Sequence, residues 1–437
     1  MSSVRRYALH SVIASVIALN ACAGDDAVEP DAQGGGPADV GADAGGGATD
    51  DVANGSTSPP LSALGQAAID IGLAEFLGQL PEPTLESSDA DSQTWSWTLD
   101  DGPLCMRGGA FRYTTRALDP ERLVIFLQGG GACWDEFCLA VNQAPAGIPA
   151  VDALRRDLDV NPLRDWSIAY LPYCDGSLFA GNRDHDDDGD GTPDRFHRGL
   201  LNLSAALQHS REQFPAPRQV LLTGSSAGGF GTILATALVR VAWPEAEILV
   251  FNDSGVGVAR DGDVRFITHL IDQFGASHLV PDDCEDCLVN GHIAPLVGWA
   301  LERDDNLRVA VFSSWFDSII GDTFLGMDPY LFQQALARET GALHERFPER
   351  YRRFIVDDST HTTLLGDPTG IIGTDLSAIE LPDGFLSNLG AIRIGSLVDT
   401  SIGDVTTSMW LQAFVDADSA WIDTIEEPTV SPWLPEE

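Results

Sequence analysis

The chain contains no lysine; all 25 of its basic residues are arginine. Schiff-base chemistry and a lysine general base are therefore excluded. Positive charge of any kind is scarce, with 66 acidic residues against those 25 and a net charge of −41 over 437 residues. Such a surface repels phosphate backbones, which argues against nucleic acid as a partner and against polyanions held by charge alone. It suits solubility in a salty or extracellular medium. Long hydrophobic runs are also missing: after the first 22 residues nothing is apolar for long enough to span a bilayer. What the chain has in quantity is apolar residues in short runs, 44% of the whole, ample for a large core.

Met1 to Cys22 reads as an export signal, with Arg5 and Arg6 in a positive leading segment and a short apolar stretch from Leu9 to Leu19. Leu19-Asn20-Ala21-Cys22 resembles a lipobox, which makes Cys22 a lipidation site and a lipid anchor the only membrane contact. Ordinary cleavage nearby with free secretion is the alternative. Residues 23–60 are Gly, Ala, Asp, Ser and Pro with almost no large apolar side chains, a composition that cannot bury a core and reads as a disordered tether. Residues 61–437 are expected to form one domain.

Six cysteines remain beyond Cys22, an even number in an exported chain, and read as disulfides. Proximity pairs Cys133 with Cys138 and Cys284 with Cys287, leaving Cys105 with Cys174. A zinc site built from the two short pairs is the rival, disfavoured by the exported setting.

A helix is expected over Leu64–Leu80, and then strands and helices alternate. Apolar runs at Leu123–Leu127, Trp166–Leu171, Val220–Leu222, Glu247–Phe251, Leu307–Ser313 and Arg353–Val356 have strand length. Helical stretches such as Leu200–Phe214 and Pro329–Phe347 lie between or beside them. This order predicts an α/β fold with a mostly parallel sheet covered on both faces and its site at the carboxyl ends of the strands. The segment from Gly255 to Trp299 is expected to cap or wall that site.

Directly after Val220–Leu222 comes Gly224-Ser225-Ser226-Ala227-Gly228, followed by a helical run from Thr232 to Val241. Strand, glycine-flanked serine and helix make the context of a nucleophile elbow. The glycine spacing selects Ser226 over Ser225. A serine nucleophile needs a base, and the base needs an orienting acid, in the chain order Ser, Asp or Glu, His. His361 follows the Arg353–Val356 strand by a short loop, the placement that a base requires; His269 and His278 fall in the cap segment and His344 in a helix. Asp317 follows Leu307–Trp315, with Asp322 close enough to compete. Oxyanion donors are expected from the Ala227 N–H and from the glycine run Gly129-Gly130-Gly131, where no Cβ blocks the backbone. A phosphate cradle is the rival for that run, but no G-K-[ST] follows it.

Four stretches together, Phe126–Cys133 with its three glycines, Tyr173-Cys174-Asp175-Gly176-Ser177, Gly224–Gly229, and Asn252-Asp253-Ser254-Gly255, resemble the pectin acetylesterase and Notum family of α/β-hydrolase carboxylesterases. The resemblance runs in order from about Cys105 to His361. It implies an α/β-hydrolase fold and ester hydrolysis, with Ser226 as nucleophile, Asp317 as acid, His361 as base, and Gly130, Gly131 and Ala227 as oxyanion donors. The expected activity is removal of a short acyl group, acetyl foremost, from a polysaccharide or similar acylated substrate through an acyl-enzyme. A non-catalytic surface binding protein on the same fold, or a peptidase or amidase, are the other readings.

No cofactor is expected for the chemistry. One loop suggests a structural cation: Asp186, Asp188 and Asp190 alternate, Thr192 offers a carbonyl, and Asp194 holds the ninth position of a calcium-type loop. The twelfth position is His197 rather than Glu, so the loop is at best a shorter version of that logic, and solvated charge is the competing reading.

Overall fold

The apolar runs of this chain feed two buried faces at once. In Leu123-Val124-Ile125-Phe126-Leu127, the odd-numbered residues join one hydrophobic cluster, while Val124 and Phe126 join another. Val220 and Leu222 oppose Leu221 in the same way, and Ile248 and Val250 oppose Leu249 and Phe251. With a side-chain period of two, continuous apolar runs arise only when a sheet is covered on both sides. The computed structural model describes residues 61–97, 102–367, 378–380 and 393–429. The expected signal, Cys22 and the 23–60 tether lie outside the described residues.

Ten strands form the main sheet: β1 (Thr84–Ser88), β2 (Gln93–Trp97), β3 (Phe111–Arg116), β4 (Arg122–Leu127), β5 (Ser167–Leu171), β6 (Gln219–Ser225), β7 (Glu247–Asp253), β8 (Leu307–Ser314), β9 (Tyr351–Val356) and β10 (Thr424–Ile425). Their spatial order is β1-β2-β3-β5-β4-β6-β7-β8-β9-β10. From β5 to β10 all neighbours are parallel, and β1 to β3 add an antiparallel edge. Three strand pairings put the site together. Gly224 pairs with Leu127, Ser225 with Asp253, and Asp253 with Phe312, so β4, β6, β7 and β8 end side by side at one edge.

Helices cover both faces. On the first, α1 (Ala63–Asp70), α2 (Gly199–Gln213), α3 (Ala227–Ala242), α4 (Val264–Phe274), α5 (Pro295–Arg303) and α6 (Pro329–Arg346) contribute core residues such as Leu203, Leu238 and Leu336. On the second, α7 (Thr407–Val415) packs Trp410, Leu411 and Phe414 beside Phe251 and Phe354. The first helix is shorter than Leu64–Leu80. Ser62 caps its start by accepting from Gly65 N, but Gly72 and Gly78 take φ of 79° and 84°, and the chain turns there instead of continuing as a helix. The other expected helices match to within a few residues at their ends, apart from the one after the elbow. That helix starts at Ala227 rather than near Thr232, because the elbow turns straight into it.

The three disulfides form as proximity suggested: Cys105–Cys174, Cys133–Cys138 and Cys284–Cys287. The second bridges facing residues of a hairpin, Gly131–Trp134 with Phe137–Val141, that follows the glycine run. All six sulfurs are spent in these bonds, which removes the zinc rival.

Candidate active site

The turn from β6 into α3 is as tight as its sequence demands. Ser226 has φ 57° and ψ −118°, a sparsely populated backbone conformation that costs a non-glycine residue about 1–3 kcal/mol. The flanking glycines make room for it. A Cβ on Gly224 would lie 2.5 Å from Gly228 O, and one on Gly228 would lie 2.0 Å from Leu127 O. Asn252 braces the turn from β7, donating to Gly229 O and Gly255 O while accepting from Gly255 N. Ser225 is fully buried and its hydroxyl donates to Asp253 at 2.6 Å, so it is already engaged.

Asp317 follows β8 and caps the short wide-turn helix Ser318–Phe324. Its Oδ1 accepts from Ile319 N and Ile320 N, each at 3.0 Å. The same carboxylate meets His361 Nδ1 at 2.8 Å and 3.1 Å. A carboxylate only accepts, so Nδ1 carries the proton and Nε2 presents its lone pair. Nε2 is buried and has no hydrogen-bond partner, which leaves its lone pair open to a hydroxyl. The rival acid Asp322 is exposed. Among the other histidines, His269 bonds Asp135 on the surface and His344 bonds Tyr351 O.

Ser226 opens onto a cavity of about 70 Å³. It carries the only hydroxyl in a lining that is otherwise apolar, including Trp134, Phe230, Phe266, Phe274 and Ile320. Gly131 and Ala227, two of the expected oxyanion donors, line the same cavity; Gly130 does not, and packs against the Tyr173 ring. The wall expected from Gly255 to Trp299 is real. It consists of Val258, Ala259, Ile293 and α4, whose start is capped by Asp263.

Two buried carboxylates shape the surroundings. Burial pushes both Asp175 and Asp253 up to about 6, against hydrogen bonds that pull the other way. Asp175 accepts from Ser177 N and Phe179 N and so holds the turn that presents Leu178 to the cavity. In the sequence Asp253 stands out only as part of the Asn252-Asp253-Ser254-Gly255 motif. Its one further signal is its place at the carboxyl end of the strand that follows the elbow helix.

The acidic loop divides. Oxygens of Asp186, Asp188 and Asp190 lie within 4.8 Å of one another, a donor set that fits a hard cation with oxygen ligands. All four carboxylates also hold the turns of the loop: Asp186 accepts from Gly189 N, Asp190 N and Gly191 N, Asp188 from Asp190 N, Asp190 from Thr192 N, and Asp194 from Asp187 N and Asp188 N. His197 is buried and bonds Gln273 O, away from the cluster. The loop tops a hairpin, Arg183–His185 with Arg195–His197, which is tied to the end of α4 by Asn182 N on Phe274 O.

The sheet order, the strained serine after β6 and the Asp317–His361 pair after β8 and β9 define an α/β-hydrolase. Residues 98–274, which include the glycine run and Ser226, match the family model described as Pectinacetylesterase. A solved structure of the Wnt deacylase Notum from Drosophila shares the fold, with a TM-score of 0.53 at 16% identity, over 77% of this chain and 96% of that one. No curated protein sequence matches the chain. Over residues 98–274 the chain is thus similar to the pectinacetylesterase family, and it shares its α/β-hydrolase fold with Notum.

Proposed function

We propose that the protein is an exported serine carboxylic ester hydrolase that removes a short acyl group from a hydroxyl of a polysaccharide or similar acylated substrate. The observation that carries this reading is Ser226, strained at the head of α3 and facing an apolar cavity, with His361 Nε2 open and its Nδ1 held by Asp317. Ser226 Oγ attacks the ester carbonyl while His361 Nε2 takes its proton. Gly131 and Ala227, which line the cavity, offer backbone N–H groups to the oxyanion. The C–O bond to the alcohol breaks, the alcohol leaves with the proton from His361, and water then releases the acid by the same steps in reverse.

The cavity supports a short acyl group. At about 70 Å³ it is half the size of a 150 Å³ apolar cavity that accommodates benzene, which suits acetyl to about butyryl. Disulfides support export, and no helix among the described residues is long and apolar enough to cross a membrane. Lipidation at Cys22 is the form of export that we infer from the segment before it. The test is a series of p-nitrophenyl esters from acetate to palmitate, together with the matching anilides. Fast acetate turnover, a steep fall beyond butyrate and intact anilides are expected; preference for palmitate or cleavage of anilides would contradict the reading.

A further inference from the structure

Ser226, Ser254 and Thr362 all have left-handed backbone, at φ 57°, 66° and 68°, and none is glycine. One two-residue unit, Asp253-Ser254, holds all three. The Asp253 carbonyl accepts from Ser226 N at 2.8 Å. Its Oδ2 accepts from Ser225 Oγ at 2.6 Å and from Leu364 N at 3.1 Å, and its Oδ1 accepts from Thr363 N at 2.8 Å. Ser254 Oγ accepts from Thr362 N at 2.8 Å. The three consecutive amides after His361 therefore all donate to the end of β7. Asp317 orients the His361 ring, and the Asp253 unit holds its backbone.

Asp253 is 0% exposed, and none of the partners of its carboxylate is a cation. A buried carboxylate is a costly way to brace a loop when an apolar contact would serve stability as well. It does offer several acceptor sites at one point, more than any neutral side chain of its size. Here those sites reach both the nucleophile strand and the histidine loop.

Resting on the serine hydrolase reading, we propose that Asp253 is a positioning residue: it ties the His361 loop to the strand that carries Ser226 and so sets the gap that the proton crosses from Oγ to Nε2. An asparagine at 253 keeps the shape but has one acceptor oxygen, and its amide N–H would face either Leu364 N–H or Thr363 N–H, donor against donor. The loop then shifts, and Nε2 moves out of line with Oγ.

The test compares Asp253→Asn and Ser254→Ala with the wild type on p-nitrophenyl acetate, with Ser226→Ala as reference. In Asp253→Asn kcat is expected to fall on the order of 10²-fold, and in Ser254→Ala about tenfold, with KM within about twofold in both. Covalent labelling of Ser226 by a fluorophosphonate should slow in step, while circular dichroism stays that of the folded chain. An unchanged kcat in a folded variant overturns the proposal, as does a fall in activity that sits in KM alone. Should Asp253→Asn fail to fold, Ser254→Ala decides by the same criteria. Retained activity in Ser226→Ala is a separate outcome: it removes the hydrolase reading beneath the proposal, whatever the other two variants do.

Discussion

His361 Nδ1 stands 2.8 Å from Asp317 Oδ2, a contact between residues 44 positions apart that come from loops after neighbouring parallel strands. Both side chains are almost fully buried, so the pair works in a medium where a misplaced proton is expensive. Asp317→Asn places an amide where only an acceptor serves and turns the imidazole to the wrong tautomer. The expected fall in kcat is on the order of 10⁴-fold, the size that this replacement has in a serine-protease triad, with folding retained. A variant within about tenfold of the wild type would remove Asp317 from the role of acid.

Ser226→Ala should abolish esterase activity, by up to about 10⁶-fold in kcat, because no route to an acyl-enzyme remains. Ser225→Ala loses the hydrogen bond by which the Asp253 carboxylate holds the nucleophile strand; it should lower activity by far less than Ser226→Ala, at a stability cost of about 1–3 kcal/mol. The reverse pattern, with Ser225→Ala dead and Ser226→Ala active, would show the elbow to be misread. Steady-state kinetics and urea midpoints on the two variants decide.

Burial, aided by Arg195, lowers His197 to about 3 from its usual value near 6.5. The folded chain therefore refuses a proton that the unfolded chain accepts between those values. The sign follows: the stability that His197 contributes as a neutral residue is present above about pH 6.5 and is lost as pH falls toward 3. Compared with His197→Gln, which does not titrate, the wild type should lose ground steadily over that window. Urea midpoints measured from pH 7 to pH 4 read the difference, and a constant gap between the two proteins counts against it.

The mature, unreduced protein should titrate no free thiol after denaturation. Replacing both Cys105 and Cys174 by serine removes a bridge between residues 69 apart and should cost about 2–4 kcal/mol. The melting temperature of that variant is the readout. Several free thiols in the wild type would speak against export through an oxidising compartment.

Calcium is expected to raise the melting temperature through Asp186, Asp188 and Asp190, whose carboxylate oxygens lie within 4.8 Å of one another. A hundredfold excess over Kd corresponds to about 2.7 kcal/mol. The rise should vanish when all three become asparagine, while kcat is unaffected, since Ser226, His361 and Asp317 need no metal. A melting curve indifferent to calcium and chelator alike reduces the loop to solvated charge.

Local chemistry made the centre of this molecule legible from the chain alone. Gly224 is dictated in part by its own pentapeptide, with Gly228 O 2.5 Å from where a Cβ would stand, whereas Gly228 is dictated by Leu127 O at the end of β4, 2.0 Å from its Cβ position. Apolar runs such as Leu123–Leu127 declare a sheet buried on both faces, because each alternate side chain needs a dry neighbour. His361 and Asp317 were legible through their place after strands. Other features left no such trace. Strand β1 is exposed along its whole length and shows no alternation, so pairing with β2 alone makes it a strand. Only the folded chain decided that Ser225 is engaged with Asp253, that Asp194 accepts from Asp187 N and Asp188 N, and that Asp253 reaches Thr363 across 110 residues. Propensity and spacing act over a few residues, whereas hydrogen bonds between distant loops form only where the sheet brings the carboxyl ends of β6, β7 and β9 together.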